Sequence, residues 1–157
     1  MSGYSVEFVQ TSWERFGEVL DLSFAVLYEP FGVVRPLDSS EKGADWMHPA
    51  PGTHLAVAMG EQGELLGGAR LLPTAGDAAR QVRQVAVFDH VRRRGVGRAL
   101  MRALEAKAAE EGARAVWLNA RDTAYVFYER LGYVAEGDAF VSAVTGIVHR
   151  RMRKQLS

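Results

Sequence analysis

The sequence predicts an α/β (α+β) fold, a mixed and mostly antiparallel central sheet with helices on both faces. Three observations predict it. Three strand candidates follow one another between His54 and Phe88 with only tight turns between them, a spacing that favours an antiparallel meander. Apolar residues recur at intervals of three and four in two stretches, Trp13 to Leu27 and Val96 to Ala108, the period of amphipathic helices. A strand, a helix and a further strand then succeed one another from Arg80 to Leu118, which permits a parallel pair with a right-handed crossover.

Each element has its own signal. Tyr4 to Val9 reads as a first strand. Thr11 with Glu14 fits a capping box ahead of a helix carrying Trp13, Phe16, Leu20, Phe24 and Leu27, and Pro30 stops it. Asp38 with Glu41 is a second cap signal, opening a short helix toward Trp46, and Met47 to Thr53 reads as a loop. The meander strands are His54 to Met59, Leu65 to Leu72 and Arg80 to Phe88. Gly67-Gly68 inside the second implies a bulge or a close backbone approach, and Pro73 to Asp77 turns the chain. Val96, Leu100, Leu104 and Ala108 share one face of the next helix, which Gly112 ends. Val116-Trp117-Leu118 is a short buried strand. Asp122 or Thr123 caps a helix through Ala124, Phe127, Tyr128 and Leu131. Tyr133 to Glu136, Phe140 to Val144 and Ile147 to Met152 complete the strands, with Thr145-Gly146 as a turn.

Composition narrows the function. The 157 residues suit one domain spanning 1–157. Lys plus Arg and Asp plus Glu are 19 each, so the basic excess usual in nucleic-acid binders is missing and no nucleic-acid partner is expected. No apolar run reaches the ~20 residues that span a bilayer, and the N-terminus lacks a basic start followed by an apolar block. Neither a membrane partner nor a signal peptide is therefore expected, and a cytoplasmic setting is the default. With no cysteine, thiolate metal sites and a cysteine nucleophile drop out. His48, His54, His90 and His149 lack ligand spacing, so no metal is expected.

Chemistry concentrates at Arg92-Arg93-Arg94-Gly95-Val96-Gly97-Arg98, between a strand and a helix. Glycines two apart let a backbone approach a ligand closely. The first-turn N–H groups of a helix lack intrahelical partners and favour anions, and four arginines beside them add charge-assisted bonds. Glycines ahead of a helix also simply ease a turn. The pattern is R-x-x-G-x-G, neither the G-x-x-x-x-G-K-[ST] of nucleotide hydrolases nor the G-x-G-x-x-G of dinucleotide folds.

The loop follows Val85-Ala86-Val87. Asn119 and then Phe127-Tyr128-Glu129-Arg130-Leu131-Gly132-Tyr133 come later at matching intervals. In these marks, which span about half the chain, the sequence resembles the GNAT superfamily of acetyl-CoA-dependent N-acetyltransferases. The C-terminal Gly146-Ile147-Val148-His149-Arg150-Arg151-Met152, with Phe140 before it, is similar more loosely to the ElaA-like branch. The resemblance implies a splayed parallel strand pair, with acetyl-CoA (coenzyme A) held in the gap. Val85, Ala86 and Val87 would meet the pantetheine, amides from Arg93 to Arg98 the diphosphate, with Arg92 and Arg94 beside them, and Gly95, Val96 and Gly97 would form the loop. Asn119, Phe127 and Tyr128 would complete the cofactor wall, and Tyr125 would be either part of that wall or a core residue.

It also implies an N-acetyltransferase that moves an acetyl group to a primary amine of a small molecule or peptide, by direct attack in a ternary complex. The Val87 N–H would face the thioester oxygen, and Tyr128 would be the general acid, a phenol close in pKa to an alkyl thiol. Tyr128 also reads as a half-buried helix residue, since it shares a face with Ala124 and Leu131. Several family members carry a Glu base on the strand before the loop; here that strand offers Arg83 and Gln84 instead. The remaining base candidates are His149, Glu136, Glu29 and His54, of which His149 has the most suitable reference pKa. Glu29, Phe31, Arg83 and Phe140 are candidate acceptor contacts; Tyr28, Trp46, Met47 and His48, like Glu29 and Phe31, lie where the family usually has its acceptor-site loops, and Arg70, like Arg83, either faces the acceptor site or is a solvated strand arginine. The absent strand carboxylate keeps a non-catalytic acyl-CoA sensor as the alternative. The exposed last strand is a candidate homodimer edge.

Overall fold

The computed structural model describes residues 3–34, 48–73 and 78–157. The expected helix from Asp38 toward Trp46, residue Met47 and most of the turn after Pro73 lie outside these residues. In chain order the elements are β1 (Tyr4–Val9), α1 (Phe16–Leu27), β2 (His54–Gly60), β3 (Leu65–Leu71), β4 (Ala79–Val87), α2 (Val96–Glu110), β5 (Ala115–Arg121), α3 (Tyr125–Arg130), β6 (Val134–Ala135), β7 (Phe140–Val141) and β8 (Val148–Gln155). Short 3₁₀ turns occupy Glu29–Phe31, Asp89–Val91 and Asp122–Ala124.

The strands form one sheet in the order β1-β2-β3-β4-β5-β8-β6, with β7 also pairing β8. All pairs are antiparallel except β4–β5, which is parallel. The fold class is therefore the mixed, mostly antiparallel sheet that the sequence predicts. Alternation along β2 explains how both faces are covered. Ala56 and Ala58 join Val96, Leu100 and Leu104 of α2 in one buried cluster. Leu55, Val57 and Met59 join Val19 and Leu22 of α1 in the other. Five consecutive buried residues in β2 thus serve two layers rather than one.

Gly67 fulfils the expected close approach, since a Cβ there would come within 3.0 Å of the Ala86 carbonyl oxygen. The β3–β4 register also shifts between Gly68 and Arg70, because one residue, Ala69, stands opposite two, Gln84 and Val85. Gln84 takes the bulge in the left-handed region, with φ 58°.

Some boundaries differ from expectation. The capping box is not used: α1 begins at Phe16 behind Arg15, with no side-chain cap bond. Arg15 instead reaches Glu18 at 2.6 Å and the Gly63 carbonyl at 2.8 Å, tying the helix start to the β2–β3 turn. Residues Asp122–Ala124 form a 3₁₀ turn, so neither Asp122 nor Thr123 caps α3. β5 runs to Arg121, beyond the expected Val116–Leu118, because β8 pairs it residue by residue from Ala115 to Arg121. β7 stops at Val141, where the Ser142 hydroxyl accepts the N–H groups of Val144 and Thr145 and starts a turn. β6 is held to Val134–Ala135, since Tyr133 turns inward and its hydroxyl donates to Glu105 at 2.7 Å.

Candidate active site

β4 and β5 pair over three positions only, Ala79 with Ala115, Arg80 with Val116 and Gln81 with Trp117. β4 then runs on to Val87 and β5 to Arg121 without further pairing. The strands part, and a cleft of about 1420 Å³ opens between them. The Phe88 N–H bonds the Leu66 carbonyl at 3.1 Å. Alternation along an antiparallel ladder then turns the Val87 N–H to the other edge of β4, toward the splay.

One part of the cleft is lined by Val87, Phe88, Arg92, Arg93, Gly95, Val96, Gly97, Arg98 and Phe127. Arg93 and Gly95 both have positive φ, 73° and 79°, which curls the loop into the start of α2. The first turn of α2 carries no acidic residue. Ala99 donates to the Gly95 carbonyl at 2.9 Å, so the amides of Val96, Gly97 and Arg98 precede the helix ladder. A Cβ on Gly97 would lie 3.2 Å from Phe127 Cζ. Arg92 is paired with Asp89 at 3.0 Å. These features fit a diphosphate and its pantetheine: a cationic helix start, and glycine at the point of closest approach.

Tyr128 lines the same cleft and is 7% exposed. Phe127 and Tyr133 meet its ring edge-on at 4.9 and 5.7 Å. Burial pushes the Tyr128 hydroxyl above the ordinary phenol value, and the Arg121 charge opposes that rise. The sequence-level match between a free phenol and a thiol therefore shifts toward a weaker acid.

The other part of the cleft is lined by Tyr28, Phe31, Arg83, Gln84, Arg121, Phe140, Ser142, Thr145 and His149. Gln84 Nε2 donates to the Tyr28 hydroxyl at 2.8 Å, pinning the end of α1 to the β4 bulge. His149 stacks on Phe140 at 5.7 Å, and its Nδ1 lies 3.0 Å from the Ile147 carbonyl. That carbonyl requires a proton on Nδ1, which makes Nε2 the basic nitrogen of the neutral ring.

Several candidates lie elsewhere. Ala86 packs in the α1 layer. Arg94 stacks over Tyr4 at 5.9 Å, and Tyr125 packs against the α2 layer. Neither residue lines the cleft, and nor do Glu29, Arg70 or His48. Glu136 borders a separate hollow with Asn119 and Arg151, though Asn119 also lines the main cleft. His54 is tied to Glu111 at 2.8 Å. Glu111 also accepts from Arg80, whose Nε donates to the Leu72 carbonyl at 2.8 Å, so His54 belongs to a structural clamp. Arg121 was not singled out in the sequence. Its signal was its place two residues after Asn119, at the carboxyl end of a parallel strand, where ligands gather in such sheets.

The model of the acetyltransferase (GNAT) domain family matches residues 39–156. Among solved structures, an aminoglycoside 6'-N-acetyltransferase complexed with coenzyme A superposes with a TM-score of 0.75 at 20% identity, covering 96% of each chain. A GCN5-related N-acetyltransferase from Kribbella flavida gives 0.73 at 23% identity, covering 98% of each. An acyl-CoA N-acyltransferase from Pseudomonas aeruginosa gives 0.70 at 22%, covering 96% of this chain and 97% of that one. At these identities the likeness to the solved structures is one of fold.

Proposed function

Because the chain belongs to the GNAT acetyltransferase family and is an acyl-CoA N-acyltransferase that uses acetyl-CoA, we propose that it acetylates a primary amine by direct attack, with residues 1–157 acting as one catalytic unit. The observation that carries this reading is the coincidence of two features in one cleft. The splay of β4 from β5 and the first turn of α2 both open into it.

Bound acetyl-CoA supplies an acetyl group activated as a thioester. The loop from Arg92 to Arg98 holds the diphosphate through its amides, and Phe127 backs Gly97 so that the chain stays close to the ligand. The Val87 N–H donates to the thioester oxygen as charge develops there; one such donor contributes on the order of 10²–10³ in rate. Tyr128 keeps its proton through the neutral range because its hydroxyl is buried. It gives that proton to the leaving sulfur, whose own basicity rises in the same water-poor cleft.

His149 Nε2 takes the proton from the attacking ammonium, directly or through water. Phe31, Arg83 and Phe140 border the place where the acceptor sits. With no cysteine in the chain, a thioester intermediate on the enzyme is excluded, which is consistent with direct transfer to the amine.

Calorimetric titration with acetyl-CoA and with CoA, followed by thiol release over a panel of amines, tests the reading. Micromolar binding with amine-dependent thiol release supports it. Binding without turnover of any amine would favour the sensor alternative.

A further inference from the structure

Arg121 closes β5 at the carboxyl end of the splay. It stands in register with His149 of β8, which in turn pairs with Phe140 of β7. Residues directly opposite in antiparallel strands project to the same side, so the three form a row across the sheet, and all three line the cleft. Arg121 Nη2 donates to the Leu27 carbonyl, and the guanidinium lies over the Phe31 ring at 4.9 Å. A guanidinium has five donors, and the Leu27 carbonyl uses one. No carboxylate of the described residues pairs with Arg121. Among the described residues the cleft lining contains one acidic side chain, Asp89, which is engaged by Arg92.

A half-buried cation without a counter-charge is costly to maintain. A tether for the Leu27 carbonyl alone would need only one neutral donor. The Phe31 ring backs the guanidinium, and the planar fork of an arginine is the group that matches a planar carboxylate. Arg121 is also near enough to the Tyr128 hydroxyl for its charge to act on it, so a group held by Arg121 stays close to the reacting end of the site.

We infer that Arg121 binds a carboxylate of the acceptor, and that the acceptor is a small amine that carries this carboxylate itself. The identity of the amine as the attacking group rests on the acyltransferase reading above. The carboxylate contact stands on Arg121 alone.

The test uses L-phenylalanine and L-methionine with their carboxamides, plus phosphoethanolamine and spermidine. Two readouts are taken on the full chain: thiol release from acetyl-CoA, and thermal shift without acetyl-CoA. The expected result is that the free carboxylates are acetylated and raise Tm, with kcat/KM at least tenfold above the carboxamides. Arg121→Gln should remove that preference chiefly through KM while CoA binding by calorimetry stays unchanged, which shows that the variant is folded. Equal use of carboxylates and carboxamides, or preference for spermidine or phosphoethanolamine, overturns the inference and leaves the acyltransferase reading intact. If acetyl-CoA neither binds nor turns over, that reading fails. The thermal shift then decides the inference by itself: stabilisation by carboxylates but not carboxamides, lost in Arg121→Gln, upholds it, and its absence overturns it.

Discussion

Gly97 and Phe127 are packed so closely that a methyl group on Gly97 would stand 3.2 Å from the tip of the Phe127 ring. The contact joins the first turn of α2 to α3, and both residues line the cleft. Glycine here serves proximity rather than an unusual backbone angle.

Gly97→Ala should therefore push the Phe127 ring or the helix start outward. Overpacking of this kind costs about 1–3 kcal/mol, and a comparable loss in binding raises the Kd for CoA by about 5- to 150-fold. Gly97→Glu adds negative charge in the same turn and should weaken binding further. Calorimetric titration measures both, with circular dichroism as the check on folding. Unaltered CoA affinity in Gly97→Glu would remove the loop from the binding site.

Tyr128→Phe should lower kcat by about 10²–10⁴, the usual contribution of a positioned acid, while acetyl-CoA affinity changes by less than about threefold. The ring contacts with Phe127 and Tyr133 survive the substitution, so the fold should be unaffected. Steady-state kinetics at saturating donor separates the two effects, and wild-type turnover would release Tyr128 from the chemistry.

His149→Gln keeps a side chain able to bond the Ile147 carbonyl but removes the basic ring nitrogen. The acid limb of the kcat/KM profile should disappear, and the plateau should fall by about 10²-fold or more. An unchanged acid limb would assign the proton transfer to water or to another group.

The clamp around Glu111 makes a separate prediction about stability. Arg80, and after it His54, holds the Glu111 carboxyl below its ordinary value. A carboxyl whose value is lowered on folding stabilises the folded chain above its unfolded value. That contribution is lost as pH falls through the lowered folded value. Glu111→Gln should then lower Tm modestly at neutral pH, since solvent screens a side chain that is 39% exposed, and the difference from wild type should shrink as pH falls from neutral into the acid range. Melting curves across that range check the sign. A gap that widens on acidification would contradict the clamp.

The sequence carried much of this arrangement in its periodicities. Compact runs between tight turns located β2, β3 and β4 to within a residue or two, and the change to a helical period located α2, because burial on one face of a helix writes directly into spacing. That Tyr128, Val87 and the loop share one cleft was foreshadowed by the local motifs in which they sit. The setting of Arg121 was not, since it depends on a register with His149 and on the end of α1, both remote in the chain. The Gln84 bulge was similarly hidden: nothing in Arg83-Gln84-Val85 shows that one residue of β3 will face two of β4. Glu29 misled for the opposite reason. Its place in the chain is right, but its side chain is exposed on the short turn after α1 and takes no part in lining the cleft.

The three register positions that join β4 to β5 give the sheet a seam. On one side lie β1 to β4, on the other β5 to β8, and past Gln81 and Trp117 no backbone rung crosses between them. A donor bonded to the Val87 edge on one side and walled by Asn119 on the other would act as the missing rung. Loading the enzyme would then also mend its sheet. Donor concentration would govern the cohesion of the two halves by mass action, so that substrate supply and the firmness of the fold rise together.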